Sequence, residues 1–227
     1  MKRVLILDGA IYRDIYRPAD HWRALLGDVP ADSVHLPSGE PVPELRPYSH
    51  LIVSGSEASI VRPEPWYHVE ADAVRRAAAA GLAILGSCFG HQMLARALSG
   101  ERYVAAAPQP EVGWIEVEVL APDPLFADVA SRHWVFASHF DEVRDPPPPW
   151  RVLARSPGCA VHAMRYGNDP IWGIQAHPEI TPSDARVLIE GFLLHEPHLA
   201  PVMRPALAAE PHDDGTALPI VRRFLEA

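Results

Sequence analysis

The chain has 227 residues, 48% of them hydrophobic and 22% charged, which suits one globular α/β domain with a sizeable core. Its net charge of −9 at pH 7 argues against nucleic acid or an anionic membrane surface as a partner. Two cysteines, Cys88 and Cys159, do not make a disulfide framework, and the N-terminal apolar run is too short for an export signal or a membrane span, so the cytoplasm is the expected compartment.

In chain order, Val4–Leu7 reads as a strand closing on the turn signal Asp8-Gly9. Ala19–Leu26 reads as a helix and Ser33–Leu36 as a second short strand. His50–Val53 is a third strand, running into Ser54-Gly55-Ser56. Glu70–Ala80 is an alanine-rich helix with Gly81 at its C-terminal cap. The apolar run Leu82–Leu85 suits a buried strand, and residues 91–98 are mostly good helix formers that stop at Ser99-Gly100. This alternation predicts a mainly parallel sheet with helices on its faces.

The pattern then changes. Trp114–Val119 alternates like a half-exposed strand, and Trp134–Ala137, Arg151–Ala154, Ala160–Arg165 and Ile171–Ala176 follow with little helix between them. They predict an antiparallel extension, making the whole a mixed α/β sheet. Pro146–Pro149 is a stiff surface loop. Thr181-Pro182-Ser183-Asp184 opens a helix, with a capping hydroxyl and a first-turn proline, that runs to about Leu194. Residues 195–214 read as largely irregular, with a helix allowed over 202–210, and Ala217–Glu226 as a final helix. The expected organisation is a single domain over 1–227, with a core of about 1–194 and a C-terminal extension of about 195–227.

Cys88 stands at the strand-to-helix switch, two residues from Gly86 and two from Gly90. A strand that turns sharply into a helix leaves no room for Cβ atoms near its apex, and glycine meets that need. The arrangement is the cysteine form of the nucleophile elbow G-x-S-x-G. It sets the sulfur at a helix N-terminus, where the dipole and unpaired N–H groups favour thiolate. The competing reading, a small buried core cysteine, does not account for the glycine spacing. Cys159 lacks such glycines and reads as inert.

A cysteine nucleophile needs a base and an anion-stabilising pocket. His177 directly follows the apolar run Ile171–Ala176 and so falls at a strand end, where α/β sheets place catalytic groups. Pro178 stiffens the chain there, and Glu179 can orient the imidazole through a hydrogen bond. With 12 histidines in the chain, this pattern alone leaves His177 one candidate among several. His195-Glu196-Pro197-His198 makes no zinc site, because Pro197 breaks a helix and no further ligand cluster accompanies the two histidines. No cofactor or metal is expected.

Gly86-Ser87-Cys88-Phe89-Gly90-His91-Gln92 and the later His177-Pro178-Glu179 together closely resemble the class I (triad-type) glutamine amidotransferases, in both order and spacing. Ser138–Val143 resembles that family's segment beside the glutamine pocket, and Glu111-Val112-Gly113-Trp114 its entry into the middle strands. Cys88–Gln92 and the ending Trp172–Glu179 are most similar to free-standing members like the GMP synthase glutaminase domain. The resemblance implies glutamine hydrolysis by a Cys88–His177–Glu179 triad, through a γ-glutamyl thioester on Cys88, with release of glutamate and ammonia. It also implies an oxyanion hole from the backbone N–H groups of Gly55, Ser56 and Phe89. Gln92 would line the glutamine pocket, and backbone near Ser138 and His139 would hold the amino-acid end. One position departs from the pattern: where many members carry proline after Ser54-Gly55-Ser56, this chain has Glu57. Its carboxylate is expected to face solvent, since pointing inward it would oppose the charge of an oxyanion.

Three functions fit these residues. The first is a glutaminase supplying ammonia to a separate synthase, as the nucleotide-binding signature G-x-x-x-x-G-K-S/T is absent. The second is a γ-glutamyl peptidase or hydrolase, with the same thioester and another leaving group. The third, a non-catalytic binding module, leaves Cys88, His177 and Glu179 without a reason to occur together. The similar DJ-1/PfpI-type scaffold typically has histidine immediately after its cysteine, where this chain has Phe89.

Overall fold

The structure is a computed structural model and describes residues 2–227. Its first half is built from β1 (Val4–Asp8), α1 (Pro18–Leu26), β2 (Ala31–His35), β3 (His50–Val53), α2 (Tyr67–Ala79), β4 (Ala83–Ser87) and α3 (Phe89–Ser99). The second half adds β5 (Val104–Val119), β6 (Arg132–Val143), β7 (Trp150–Arg155), β8 (Ala163–Tyr166), β9 (Ile171–Ile174), α4 (Pro182–His195), α5 (Ala200–Ala208) and α6 (Ala217–Leu225). All nine strands join one sheet in the order β2-β1-β3-β4-β9-β8-β7-β5-β6. From β2 to β9 the neighbours are parallel, and from β9 to β6 they are antiparallel. The expected mixed α/β sheet with an antiparallel extension is therefore the observed one.

β1, β3 and β4 are buried along their whole length, as unbroken apolar runs in a covered parallel sheet should be. Because successive side chains face opposite ways, each strand serves two cores. Leu5, Leu7, Leu51, Val53 and Ile84 meet α2 and α3 through Val74, Phe89 and Met93. Val4, Ile6, Ile52 and Leu85 meet α1 and α6 through Trp22 and Phe224. A third apolar group joins Tyr16, Phe136, Ile180, Leu188, Phe192 and Met203, and roofs the loops at the C-terminal ends of the parallel strands.

One stretch differs from the sequence reading. β5 begins at Val104, ten residues before the alternating run at Trp114, because Pro108, Pro110 and a register shift between Ala106 and Glu111 hide the strand period. The helix allowed over 202–210 is present as α5, whose Met203 is fully buried and whose Ala206 lies against Gly113 of β5. Tertiary contact holds this short helix despite Pro205 in its interior. α4 opens as expected, with a reciprocal capping box between Thr181 and Asp184.

Candidate active site

Strand β4 ends at Ser87, and α3 begins at Phe89. Cys88 makes the whole turn between them at φ 48° and ψ −107°, a strained conformation for a residue with a Cβ. The flanking glycines are steric requirements. A Cβ on Gly86 would stand 2.6 Å from the Gly90 carbonyl group, and one on Gly90 would collide with the Val53 carbonyl oxygen of β3. Strand, helix and neighbouring strand thus lock together and present the sulfur at the first turn of α3. The turn is tied across the sheet by the Cys88 N–H, which donates to the Ile174 carbonyl at 2.9 Å. The thiol is 3.5 Å from the Ser138 carbonyl of β6.

β9 is the parallel neighbour of β4, and the chain leaving it carries His177 back over the elbow. The His177 N–H donates to the Phe136 carbonyl at 2.9 Å, fixing that loop to β6. The imidazole Nδ1 lies 2.8 Å from Glu179 Oε1, and both side chains are buried. Donation by Nδ1–H to the carboxylate leaves Nε2 for the sulfur. Burial works against a charged imidazole, but Cys88 and Glu179 together outweigh it and raise the His177 pKa well above its ordinary value. Burial likewise raises the Glu179 carboxyl, yet His177 and then Tyr16 hold it below the usual range. The surroundings of His177 therefore favour its charged, imidazolium form.

The loop after β3 lies against the imidazole. A Cβ on Gly55 would be 2.5 Å from His177 Cε1 and 2.8 Å from the Tyr16 hydroxyl. Ser54 Oγ accepts from Gly9 N–H at 3.1 Å, and Ser56 Oγ donates to the Gly9 carbonyl at 2.6 Å. These bonds pin the Gly55-Ser56 backbone to the end of β1. Phe89 is the first residue of α3, so its N–H has no intrahelical partner.

Cys88, Phe89, Ser56, Gln92, Ser138 and His139 share one cleft of about 390 Å³. Gln92 is buried, with Nε2 donating to the Asp141 carbonyl at 2.7 Å. His139 is buried too, with Nδ1 3.0 Å from the Asp141 carbonyl and Nε2 3.1 Å from Glu111 Oε2. The structure thus brings together all the site residues singled out from the sequence, Gly55, His177 and Glu179 standing behind the wall of the cleft. Open grooves elsewhere, beside Trp66 and beside Leu218, contain neither a cysteine nor a histidine.

Glu57 corrects the sequence reading. It does not face solvent: Oε2 accepts the Ile11 N–H at 2.7 Å, and Oε1 is buried without a partner. The carboxylate turns toward the loop between β1 and α1 because backbone N–H groups there receive it. Burial raises its pKa, which weakens the opposition an inward charge would offer to an oxyanion.

Several site residues carry no mark in the sequence. Tyr16 donates to Glu179 Oε1 at 2.6 Å and meets the His177 ring edge-on at 5.9 Å. Tyr12 lines the cleft from the β1–α1 loop, Phe192 from α4, and Glu196, His198 and Leu199 from the C-terminal extension. Tyr12 and Tyr16 lie in an irregular loop, which has no period to betray them. Cys159 is buried away from the elbow's geometry, and burial pushes its thiol up to about 12.

A cysteine on a strand–helix elbow, faced by a histidine that is held by a glutamate, is an arrangement chemically able to support thiol-dependent acyl transfer on an α/β sheet. The sequence model of the class-I glutamine amidotransferases matches residues 28–195. The chain belongs to that family and is an enzyme of that type. It is similar to the glutamine-hydrolyzing subunit of GMP synthase from Methanothermobacter thermautotrophicus, with 37% identity over 147 residues, or 65% of this chain and 77% of that one. It is also similar to the same-named protein of Pyrococcus abyssi, with 39% identity over 101 residues, 44% of this chain and 53% of that one. In fold it resembles a glutamine amidotransferase from Thermotoga maritima, at a TM-score of 0.82 and 22% identity, covering 100% of this chain and 99% of the other. Among the described residues, no helix is long and apolar enough to cross a membrane.

Proposed function

We propose that this enzyme hydrolyses the side-chain amide of glutamine with Cys88 as nucleophile, His177 as acid and base, and Glu179 as the group that orients His177. The observation that carries this reading is the strained elbow at Cys88 facing an imidazole bonded to Glu179 at 2.8 Å. The Cys88 thiolate attacks the amide carbon, and the oxygen takes up negative charge. In this reading the backbone N–H groups of Phe89, Gly55 and Ser56 receive that charge. His177 protonates the departing nitrogen, ammonia leaves, and a γ-glutamyl thioester remains on Cys88. Water activated by His177 then attacks the thioester, glutamate leaves, and the thiol is restored. Gln92 and the Ser138–His139 backbone hold the amino-acid end.

The ammonia goes to an acceptor on a separate synthase chain. The relatives support this, since both of those described above are named as parts of a GMP synthase. A reducing cytoplasm keeps the two free cysteines as thiols.

The test is to incubate the purified chain with glutamine, beside Cys88→Ala, and to measure ammonia and glutamate. Equimolar release that is lost in the variant is the expected result. Equal release by both proteins sinks the triad reading. If wild type releases nothing, a glutamine-like alkylating analogue decides: labelling of Cys88 means that the site is competent but needs its partner, and no labelling removes Cys88 as the nucleophile.

A further inference from the structure

Resting on that reading of the triad, we propose that Arg62 binds the α-carboxylate of glutamine and so selects it over amides that lack that group. The argument begins with charge. The cleft that holds Cys88 is lined by three acidic side chains, Glu57, Asp141 and Glu196. Among the described residues it is lined by one arginine, Arg62, and by no lysine. An amino acid whose side-chain amide lies at the sulfur brings its own carboxylate into these acidic surroundings. Repulsion and lost hydration both oppose its entry unless a cation meets it.

The other basic groups at hand are taken. His139 is buried, with Nε2 3.1 Å from Glu111 Oε2, and His198 Nδ1 lies 3.4 Å from Glu196 Oε2. Arg96, which reaches the same loop from α3, pairs with Glu101 at 2.9 Å and donates to the Ile60 carbonyl at 3.1 Å. Arg62 has no ion-pair partner among the described residues, so taking a carboxylate breaks no existing contact.

The backbone sets Arg62 at the correct end of the cleft. It closes a turn in the loop between β3 and α2, its N–H donating to the Ser59 carbonyl at 3.0 Å. That turn is anchored from three sides. Ser59 Oγ donates to Asp141 Oδ2 of β6 at 2.6 Å, the Tyr67 hydroxyl donates to the Ser59 carbonyl at 2.7 Å, and Ile60 is fully buried. The same Asp141 offers its backbone carbonyl to Gln92 Nε2 at 2.7 Å. Ser59 thus ties Arg62 to the wall that carries Gln92, Ser138 and His139, where the amino-acid end of the substrate is placed. From this fixed point an exposed guanidinium presents the planar pair of N–H donors that fits a carboxylate.

The experiment measures the rate constant for alkylation of Cys88 in the full chain by two reagents. One is a chloroketone analogue of glutamine, which keeps the α-carboxylate; the other is iodoacetamide, which has none. Wild type, Arg62→Ala and Arg62→Lys are compared. Loss of a charge-assisted contact should slow the chloroketone about ten- to a hundredfold in Arg62→Ala. Lysine keeps the charge without the fork and should recover part of that loss. Iodoacetamide should modify Cys88 at the wild-type rate in both variants. A chloroketone rate unchanged in Arg62→Ala overturns the proposal and leaves the triad reading standing. So does parallel slowing of both reagents, which would mean that Arg62 acts on the thiol and not on a carboxylate. Labelling of wild type by iodoacetamide alone removes the glutamine pocket and this proposal with it. Labelling of Cys88 by neither reagent overturns the triad reading as well.

Discussion

Tyr16 and His177 share one oxygen of Glu179: the hydroxyl donates to Oε1 at 2.6 Å, and imidazole Nδ1 stands 2.8 Å from the same atom. The other carboxylate oxygen, Oε2, is buried without a partner. An unpaired carboxylate in so dry a place would take up a proton and cease to accept from His177. The two donors prevent that, and Tyr16 is the fourth residue of the arrangement.

Tyr16→Phe tests this. The ring is kept, so packing against His177 is retained and only the hydrogen bond goes. A hydrogen bond to a charged group is worth about 1.5–3 kcal/mol, and one pKa unit corresponds to about 1.4 kcal/mol. Glu179 is held low in the native site, so losing a donor lets its pKa rise, and protonated Glu179 no longer receives Nδ1–H. The acid limb of the kcat profile should therefore move to higher pH, by about one unit, with kcat at neutral pH little changed because Glu179 is still ionised there. A pH–rate profile superimposable on that of wild type would mean that the shared oxygen has no catalytic consequence.

Gly55 and Gly90 separate catalysis from folding. In Gly55→Ala the new Cβ would press on His177 Cε1 and the Tyr16 hydroxyl, both parts of side chains that can give way. A misplacement of about 1 Å in a catalytic group can cost about 100-fold, so kcat should drop by roughly that factor while the thermal midpoint changes little. In Gly90→Ala the collision is with the backbone carbonyl of Val53, which is locked into the sheet. That variant should lose about 1–3 kcal/mol of stability or fail to fold. Calorimetry beside glutaminase assays reads both, and an active, stable Gly90→Ala would contradict the elbow geometry.

Thiol chemistry should be confined to one cysteine. Burial pushes Cys159 up to about 12, so it holds almost no thiolate at neutral pH, whereas Cys88 lines the cleft at the first turn of α3. Brief treatment of the native chain with iodoacetamide should add one carbamidomethyl group, on Cys88, and none in Cys88→Ala. Peptide mapping that finds Cys159 modified first would reverse the assignment.

Much of this is legible in the sequence because its physics is local. The Gly86–Cys88–Gly90 spacing is a steric signature, and the apolar run Ile171–Ile174 ending near His177 is a topological one, so elbow and base can both be placed on strand ends. The sheet's changeover from parallel to antiparallel is likewise visible in the loss of helical spacing after Ser99. What escapes depends on long-range pairing. Tyr12 and Tyr16 sit in an irregular loop and act through Glu196 and Glu179, 184 and 163 residues away. Glu57 defeats a sequence reading because its partner, the Ile11 N–H, is 46 residues distant and becomes a neighbour only when β1 and β3 pair. α5 shows in the sequence only as a helix allowed over 202–210, because Pro205 works against it and tertiary packing around Met203 is what holds it.

Glu70 carries the last prediction, one about stability. It faces inward from α2, fully buried, with both carboxylate oxygens unpartnered, and burial, aided by the nearby charge of Asp8, raises its pKa well above the ordinary value. In the unfolded chain the same group titrates near the ordinary 4.5. Between those two values the folded state binds more protons than the unfolded one, so stability falls as pH rises. This contribution is fully present below pH 4.5 and is lost as pH climbs toward the folded pKa. Glu70→Gln removes the titration and should flatten the decline of the thermal midpoint between about pH 5 and pH 8. Glu70→Met also removes the unpaired polar atoms and should stabilise the chain at about pH 8 by about 1–3 kcal/mol. At roughly 2–4 °C per kcal/mol for a chain of this size, calorimetry resolves that gain. A midpoint in Glu70→Met below that of wild type at the same pH would mean that the buried carboxyl has a partner that stabilises it.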